Sequence, residues 1–426
     1  MSTSSSAPLP ASFSLAEGVV TLDPGDPAFF QDPYPAYRAI HAMGGVARWP
    51  AADTLAIADH GLVSQLLRDR RFGRILPADS EGRPDYGSKP EHLQDFYRIE
   101  ANSLLDLEPP THTRLRSLVT RAFVSRQIEK LAPDIADLSH RLIDGFAASG
   151  SVDLVSQFAT PLPVQVIARL IGVPAEDAGA LLDWSHRMVA MYRLRPSPSE
   201  QDGANAAARD FRLYLQHVLA AKRRRPAEDL ASALIAAESR DGRLSEAEMV
   251  STLVLLLNAG HEATVHQIGN AVKAILESGL DPAELLASDV GAGATIEEAL
   301  RFDTPLHLFE RIALEDVALP GGWQLTRGDK VALLLGAANH DPAVFDAPER
   351  FDPARPSKPH VAFGGGIHFC IGAPLARLEL TVALGALFTR LPDLRLAAAP
   401  RYRDSWHFRG LERLDLRFTP APGKAT

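Results

Sequence analysis

The chain has 426 residues, a net charge of −9 and 46% apolar residues, enough for a large core. The acidic balance argues against a general nucleic-acid binder, and the single cysteine excludes an intramolecular disulfide framework or a multi-cysteine zinc site and fits a reducing cytoplasm. The start of the chain has no basic segment leading a long apolar run, and no uninterrupted apolar run of about eighteen residues occurs elsewhere, so neither a signal peptide nor a membrane span is expected.

Residues 1 to about 20, rich in Ser, Ala and Pro, read as a flexible tail. Pro33 to Met43 predicts a short helix. Val46 to Asp59 holds two short β-like runs, and His60 to Arg68 returns to helix, so a small β region is expected near the N-terminus. From Arg74 to Pro110 the pattern is irregular, as in a pocket-covering or mobile loop. Pro110 to Phe123 opens a helix on which His112 and Arg116, four apart, share a face. Apolar residues from Leu131 to Phe146 repeat at three and four, and Pro161–Gly172 and Ala175–Tyr192 are further helices. A Pro/Ser-rich break covers 193–203, and Ala204 to Arg225 is helical again. The KRRR run at its end reads as a solvated helix terminus.

Ser245 and Glu248 form a capping box that opens a helix of about thirty residues, Ala247 to Glu277. Its middle holds Ala259, Gly260, His261, Glu262, Ala263, Thr264 and His266. A zinc-protease helix would need two histidines four apart. His261 and His266 are five apart, about 140° around the axis, and cannot share a metal by themselves. Gly260 in a helix interior costs up to ~1 kcal/mol relative to Ala and so calls for a reason, such as close approach of a bound group.

Thr295 to Phe302 is helical, with Glu298 and Arg301 at i,i+3, a spacing that on a surface is worth only ~0.3–0.5 kcal/mol. Arg355 follows in ERFDPARP. Asp303 to Arg311 turns into a β-like run, and 317–335 contains a hairpin around Pro320 to Gly322. The only cysteine, Cys370, ends a glycine-rich loop in which Phe363, Gly366, Cys370 and Gly372 stand as Phe-x-x-Gly-x-x-x-Cys-x-Gly. A helical stripe of Leu375, Leu378 and Val382 follows. A lone cysteine is usually a small buried hydrophobe. Here the loop and the helix start favour a thiolate ligand, because unpaired N–H groups stabilise the charged form.

This loop resembles the haem-binding signature of the cytochrome P450 family, and the likeness extends over nearly the whole chain. It implies a mainly α fold with a small β region, residues 21–426 forming one haem-binding domain, with haem b between the long central helix and the post-cysteine helix. By the same resemblance Cys370 is the proximal iron ligand. His112, Arg116, Arg311 and His368 hold the propionates, and Phe363 and Gly372 complete the cofactor loop. Gly260, Glu262, Ala263 and Thr264 stand where the family binds dioxygen and relays protons. Glu298, Arg301 and Arg355 form a structural network, and Ala259, Leu306, Leu308, Phe309 and Phe408 are pocket candidates. The family usually has threonine where this chain has Ala263, which leaves three accounts. A substrate hydroxyl or water replaces it, Thr264 does so from a locally unwound helix, or the chemistry is not simple hydroxylation.

The implied activity is a cytoplasmic monooxygenase that inserts one oxygen atom from O2 into a small, mostly apolar substrate. No flavin or iron–sulfur motif is present, so electrons come from a separate ferredoxin and its reductase, docked with the help of Arg114, Arg121 and Arg126. The alternatives are an oxidase of the same fold that couples phenols or cleaves C–C bonds, and a non-catalytic haem sensor or carrier.

Overall fold

A computed structural model describes residues 9–87, 89–123, 128–192, 196–239, 242–356 and 359–420. The longest helix, Glu246–Ser278, has 33 residues, about 50 Å, and the rest of the fold is arranged around it. Its start is set by a capping box: Glu248 N–H donates to Ser245 Oγ at 3.2 Å, and Ser245 N–H to Glu248 Oε2 at 2.8 Å. Its end is Gly279 in the left-handed conformation. Apolar residues cover most of its circumference, so it is buried on nearly every side.

In chain order the helices used below are α1 (Tyr34–Ala42), α2 (His60–Leu66), α3 (Gln94–Glu100), α4 (Thr111–Ala122), α5 (Ala132–Asp144), α6 (Pro161–Ile171), α7 (Ala178–Val189), α8 (Pro198–Arg224), α9 (Glu246–Ser278), α10 (Asp289–Phe302) and α11 (Ala373–Arg390). Helix α9 packs against α6, α7, α8, α10 and α11. The largest core cluster runs through these helices, from Leu115 and Ile135 to Ile268 and Leu384.

The strands β1 (Ser14–Ala16), β2 (Val19–Thr21), β3 (Val46–Trp49), β4 (Thr54–Ile57), β5 (Phe72–Gly73), β6 (Leu308–Ala313) and β7 (Lys330–Leu334) form one sheet, ordered β1-β2-β3-β4-β7-β6-β5. Strand β7 runs parallel to β4, with Val331 opposite Leu55, and antiparallel to β6, with Lys330 opposite Ile312. The β region therefore belongs to both halves of the chain, and it carries Arg311 to the same side as the cysteine loop.

Three expected boundaries move. Residues 14–21, read as part of a tail, form the β1–β2 hairpin with Leu15 opposite Val20, and Val20 is fully buried. Three-residue strands are too short to show a period. Residues 1–8 of that tail lie outside the described residues. The irregular stretch 74–110 contains α3, whose Phe96 and Ile99 join the core. Helix α8 begins at Pro198, six residues before the expected start. Its capping box, Ser197 with Glu200, sat in plain view inside the Pro/Ser-rich break.

Candidate functional site

The cysteine loop is closed by Cys370 N–H donating to the Phe363 carbonyl at 3.0 Å. Gly364 and Gly366 have φ of +68° and +67°, and a Cβ on Gly366 would lie 2.3 Å from the Leu67 carbonyl oxygen. No other residue fits that turn against the end of α2. Gly372, by contrast, has an ordinary φ of −80°, and a Cβ there would sit 3.8 Å from Cys370 Sγ. The sulfur is free and exposed, yet protein crowds around it. Burial pushes the thiol up, while the N–H groups of Gly372 and Ala373 and the guanidiniums of Arg116 and Arg377 pull the other way.

Cationic side chains gather beside the loop. Arg116, on α4, donates to the Phe369 carbonyl at 2.6 Å. One turn earlier, His112 is 1% exposed and neither ring nitrogen has a partner among the described residues. Its ring lies 4.5 Å from that of His368. Burial, with the neighbouring His368 and Arg116, holds His112 down to about 4. Arg311 is 2% exposed and forms no ion pair among the described residues. Burial and neighbouring Arg74 pull it down to about 9. Arg74, a residue the sequence reading left in an irregular loop, shares this place. Its guanidinium carbon lies 5.9 Å over Phe309, and that of Arg311 5.5 Å over the same ring. The acid facing them is Glu108, 3.5 Å from His368 Nε2 and an acceptor from Arg74 N–H at 2.6 Å. Buried cations without carboxylate partners are costly unless an anion joins them.

On α9, Leu255, Ala259 and Ala263 are open at i, i+4 and i+8, while Leu256, Leu257, Asn258, His261 and Glu262 are buried. The central helix thus keeps an apolar stripe that its neighbouring elements do not fully cover. A Cβ on Gly260 would meet Ile167 of α6 at 3.1 Å, so helix packing gives its missing side chain a reason of its own. Thr264 is buried and its hydroxyl donates back to the Gly260 carbonyl at 3.4 Å. The helix is unbroken there, and the unwound-helix account of Thr264 fails.

Glu262 is 9% exposed and has histidines on both oxygens: His186 Nε2 is 3.2 Å from Oε1, and His266 Nε2 is 3.3 Å from Oε2. Burial opposes ionisation, but these two contacts outweigh it and hold the carboxyl well below the usual carboxylate range. The i,i+4 pair of Glu262 and His266 was readable from spacing. His186 comes from α7 and was not.

The structure brings Glu298, Arg301 and Arg355 together. Arg301 holds both Glu298 oxygens, at 2.8 and 2.7 Å, and Arg355 Nε lies 3.5 Å from the same carboxylate. The pair is buried, not on the surface. The expected pocket wall splits. Leu306 bridges to Phe408, where the C-terminal turn reaches back. On β6 alternate residues face opposite ways, so Leu308 and Phe309 cannot line one pocket. Leu308 packs on the N-terminal core, and Phe309 lies against Gly364, whose added Cβ would be 2.9 Å from its ring. Arg114 is ion-paired with Glu248 of the capping box, which removes it from an open docking face. Arg126 lies outside the described residues.

The donor set fits haem: a sulfur, an apolar helix stripe, and buried cations with the unpartnered ring nitrogens of His112 for two carboxylates. A sequence model of the cytochrome P450 family matches residues 292–392. Cytochrome P450 107B1 of Saccharopolyspora erythraea is 37% identical over 413 residues, 92% of this chain and 96% of its own length. The vitamin D(3) 25-hydroxylase of Pseudonocardia autotrophica is 38% identical over 404 residues, 92% of this chain and 95% of its own. The solved structure of P450BioI in complex with a hexadec-9Z-enoic acid-ligated acyl carrier protein has a TM-score of 0.84 and 33% identity, over 92% of this chain and 99% of that one.

Proposed function

The chain belongs to the cytochrome P450 family of haem monooxygenases, and on that premise we propose that it inserts one oxygen atom from O2 into a small, mostly apolar organic molecule, by hydroxylation or epoxidation. The observation that carries the reading is the exposed Cys370 sulfur set beside the buried Arg311, which forms no ion pair among the described residues, and the buried His112, whose ring nitrogens have no partner there. When bound, haem b supplies the activation of dioxygen and the transfer of its oxygen. Cys370 would hold the iron, and His112, Arg116, Arg311 and His368, with Arg74 added, would hold the propionates.

The chain's own residues supply the rest. Leu255, Ala259 and Ala263 offer an apolar surface that binds substrate without hydrogen bonds and keeps water out. Leu306 and Phe408, joined at their bridge, add a second apolar wall. Glu262 stays a carboxylate that accepts a hydrogen bond at Oε1 from His186 Nε2–H, across 3.2 Å, and the half-exposed His186 links it to solvent. The relatives' names point the same way, one to vitamin D(3) and another to a fatty acyl chain.

Electrons come from a separate ferredoxin and reductase, and the enzyme works in the cytoplasm. No described helix is long and apolar enough to cross a membrane. The test is the reduced, carbon-monoxide-treated protein followed by product analysis with surrogate redox partners. A thiolate-type red-shifted band and oxygenated product are expected, and a band without the shift would overturn the assignment of Cys370. A second reading is an oxidase that couples phenols or cleaves C–C bonds. It is favoured by the lack of a free hydroxyl at Ala263, since Thr264 bonds to its own helix. Product analysis separates the two.

A further inference from the structure

The histidine before Glu262 has an unused lone pair. His261 is 3% exposed, and its Nδ1–H donates to the Leu257 carbonyl at 2.7 Å. That bond places the ring's lone pair on Nε2. Among the described residues Nε2 has no hydrogen-bond partner. The ring of His186 lies 5.8 Å away, centre to centre. One ligand atom each from His186, His261 and Glu262 lies within 4.8 Å of the others.

We propose that His186, His261 and Glu262 form a site for a zinc-class divalent cation, separate from Cys370 and joining α7 to α9. Two neutral imidazoles and a carboxylate are a recurrent zinc donor set, with a fourth position left for water. The outer contacts suit it too. The Leu257 carbonyl holds His261 by the ring nitrogen that would not bind metal, and His266 holds the second oxygen of Glu262 at 3.3 Å. Donors about 2.1 Å from a tetrahedral ion are about 3.4 Å apart, so one of the three must swing inward. His186 can do so, because its side chain is 47% exposed. A hollow of about 350 Å³, lined by His186, Arg187, Ala190, Ser199, Glu200 and Gly203, opens beside it as an entry path. The cation lining this hollow, Arg187, is paired with Asp183 at 3.3 Å.

Metal binding does not depend on the oxygenase reading. One consequence does: a filled site withdraws Glu262 and His186 from proton exchange and slows turnover. The test uses the haem-loaded full chain titrated calorimetrically with Zn²⁺, with the zinc environment read by X-ray absorption. One Zn²⁺ per chain is expected, with a nitrogen and oxygen shell that includes imidazole and no sulfur. His186→Ala and His261→Ala should each weaken binding at least ~10-fold, as loss of a ligand or its support does. His217→Ala, on an exposed histidine of α8, should leave it unchanged. His186 is half-exposed, so its variant keeps the fold, which the carbon-monoxide spectrum checks. No stoichiometric binding, equal affinity in His186→Ala, or sulfur in the zinc shell would each overturn the site. Binding as described without slower turnover upholds the site and overturns the proton role of Glu262.

Discussion

His186 Nε2 lies 3.2 Å from Oε1 of Glu262, so a surface histidine of α7 touches a buried carboxylate in the middle of α9. Loss of that carboxylate's charge tests its role. Glu262→Gln should keep haem binding and lower turnover by about 10²-fold, the low end of what a positioned acid–base group contributes. The solvent isotope effect on turnover should rise. Unchanged turnover would remove Glu262 from the proton path.

Ala263, next to the same carboxylate in the chain, is only partly covered and carries no hydroxyl. Ala263→Thr should retain the carbon-monoxide spectrum and change either the coupling of electrons to product or the substrate preference. If both stay as in the parent on the native substrate, a substituting hydroxyl from substrate or water is not part of the reaction.

Gly410 packs face-on against His266, and a Cβ there would fall 1.9 Å from Nδ1 of that ring. Gly410→Ala should destabilise by ~1–3 kcal/mol and disturb the His266–Glu262 contact. Gly385, inside α11, has nothing within 4 Å of a new Cβ. Gly385→Ala should stabilise by ~0.5–1 kcal/mol. Paired thermal melts give opposite signs; equal signs would contradict the packing at Gly410.

The buried carboxylate of Glu298 serves Arg301 and Arg355 at once and also accepts the Asp352 N–H at 2.8 Å. Glu298→Gln leaves two buried guanidiniums with too little negative charge. A loss of ~3–5 kcal/mol is expected in urea unfolding, together with faster haem loss to apomyoglobin. A loss below 1 kcal/mol, on the order of a surface pair, would show that the network is solvated.

Glu100, 4% exposed on α3, meets the Tyr192 hydroxyl at 3.3 Å. Burial, and then the charge of Asp106, push this carboxyl up to about 8. The folded chain therefore holds a proton that the unfolded chain releases near the ordinary carboxylate value. That contribution to stability is complete at low pH and declines as pH rises towards and through 8. Hydrogen exchange across residues 94–106 should quicken over that range in the parent. In Glu100→Gln the dependence should flatten, and an identical slope in both would show that another group sets it.

The cysteine loop, both ends of α9 and the Glu298–Arg301 spacing could be read from the chain because each is a local pattern. A turn glycine, a capping box or an i,i+3 pair lies within a few residues, and its geometry follows from backbone rules alone. The box at Ser197 and Glu200 was equally local and could have been read the same way. What the chain did not show was of another kind. Gly260 packs against Ile167, ninety-three residues earlier. Thr264 spends its hydroxyl on its own helix, and β6 sends Leu308 and Phe309 to opposite faces.

By itself, then, the sequence determined the sulfur, the helix that starts after it and the acid on the long central helix. Only the tertiary structure decided what surrounds them. Arg74 enters the cation group and His186 reaches Glu262 from α7 through contacts between residues far apart in the chain. Such residues stand alone in sequence, with no spacing to mark them, and packing of distant elements is what brings their charges and lone pairs within reach of one another.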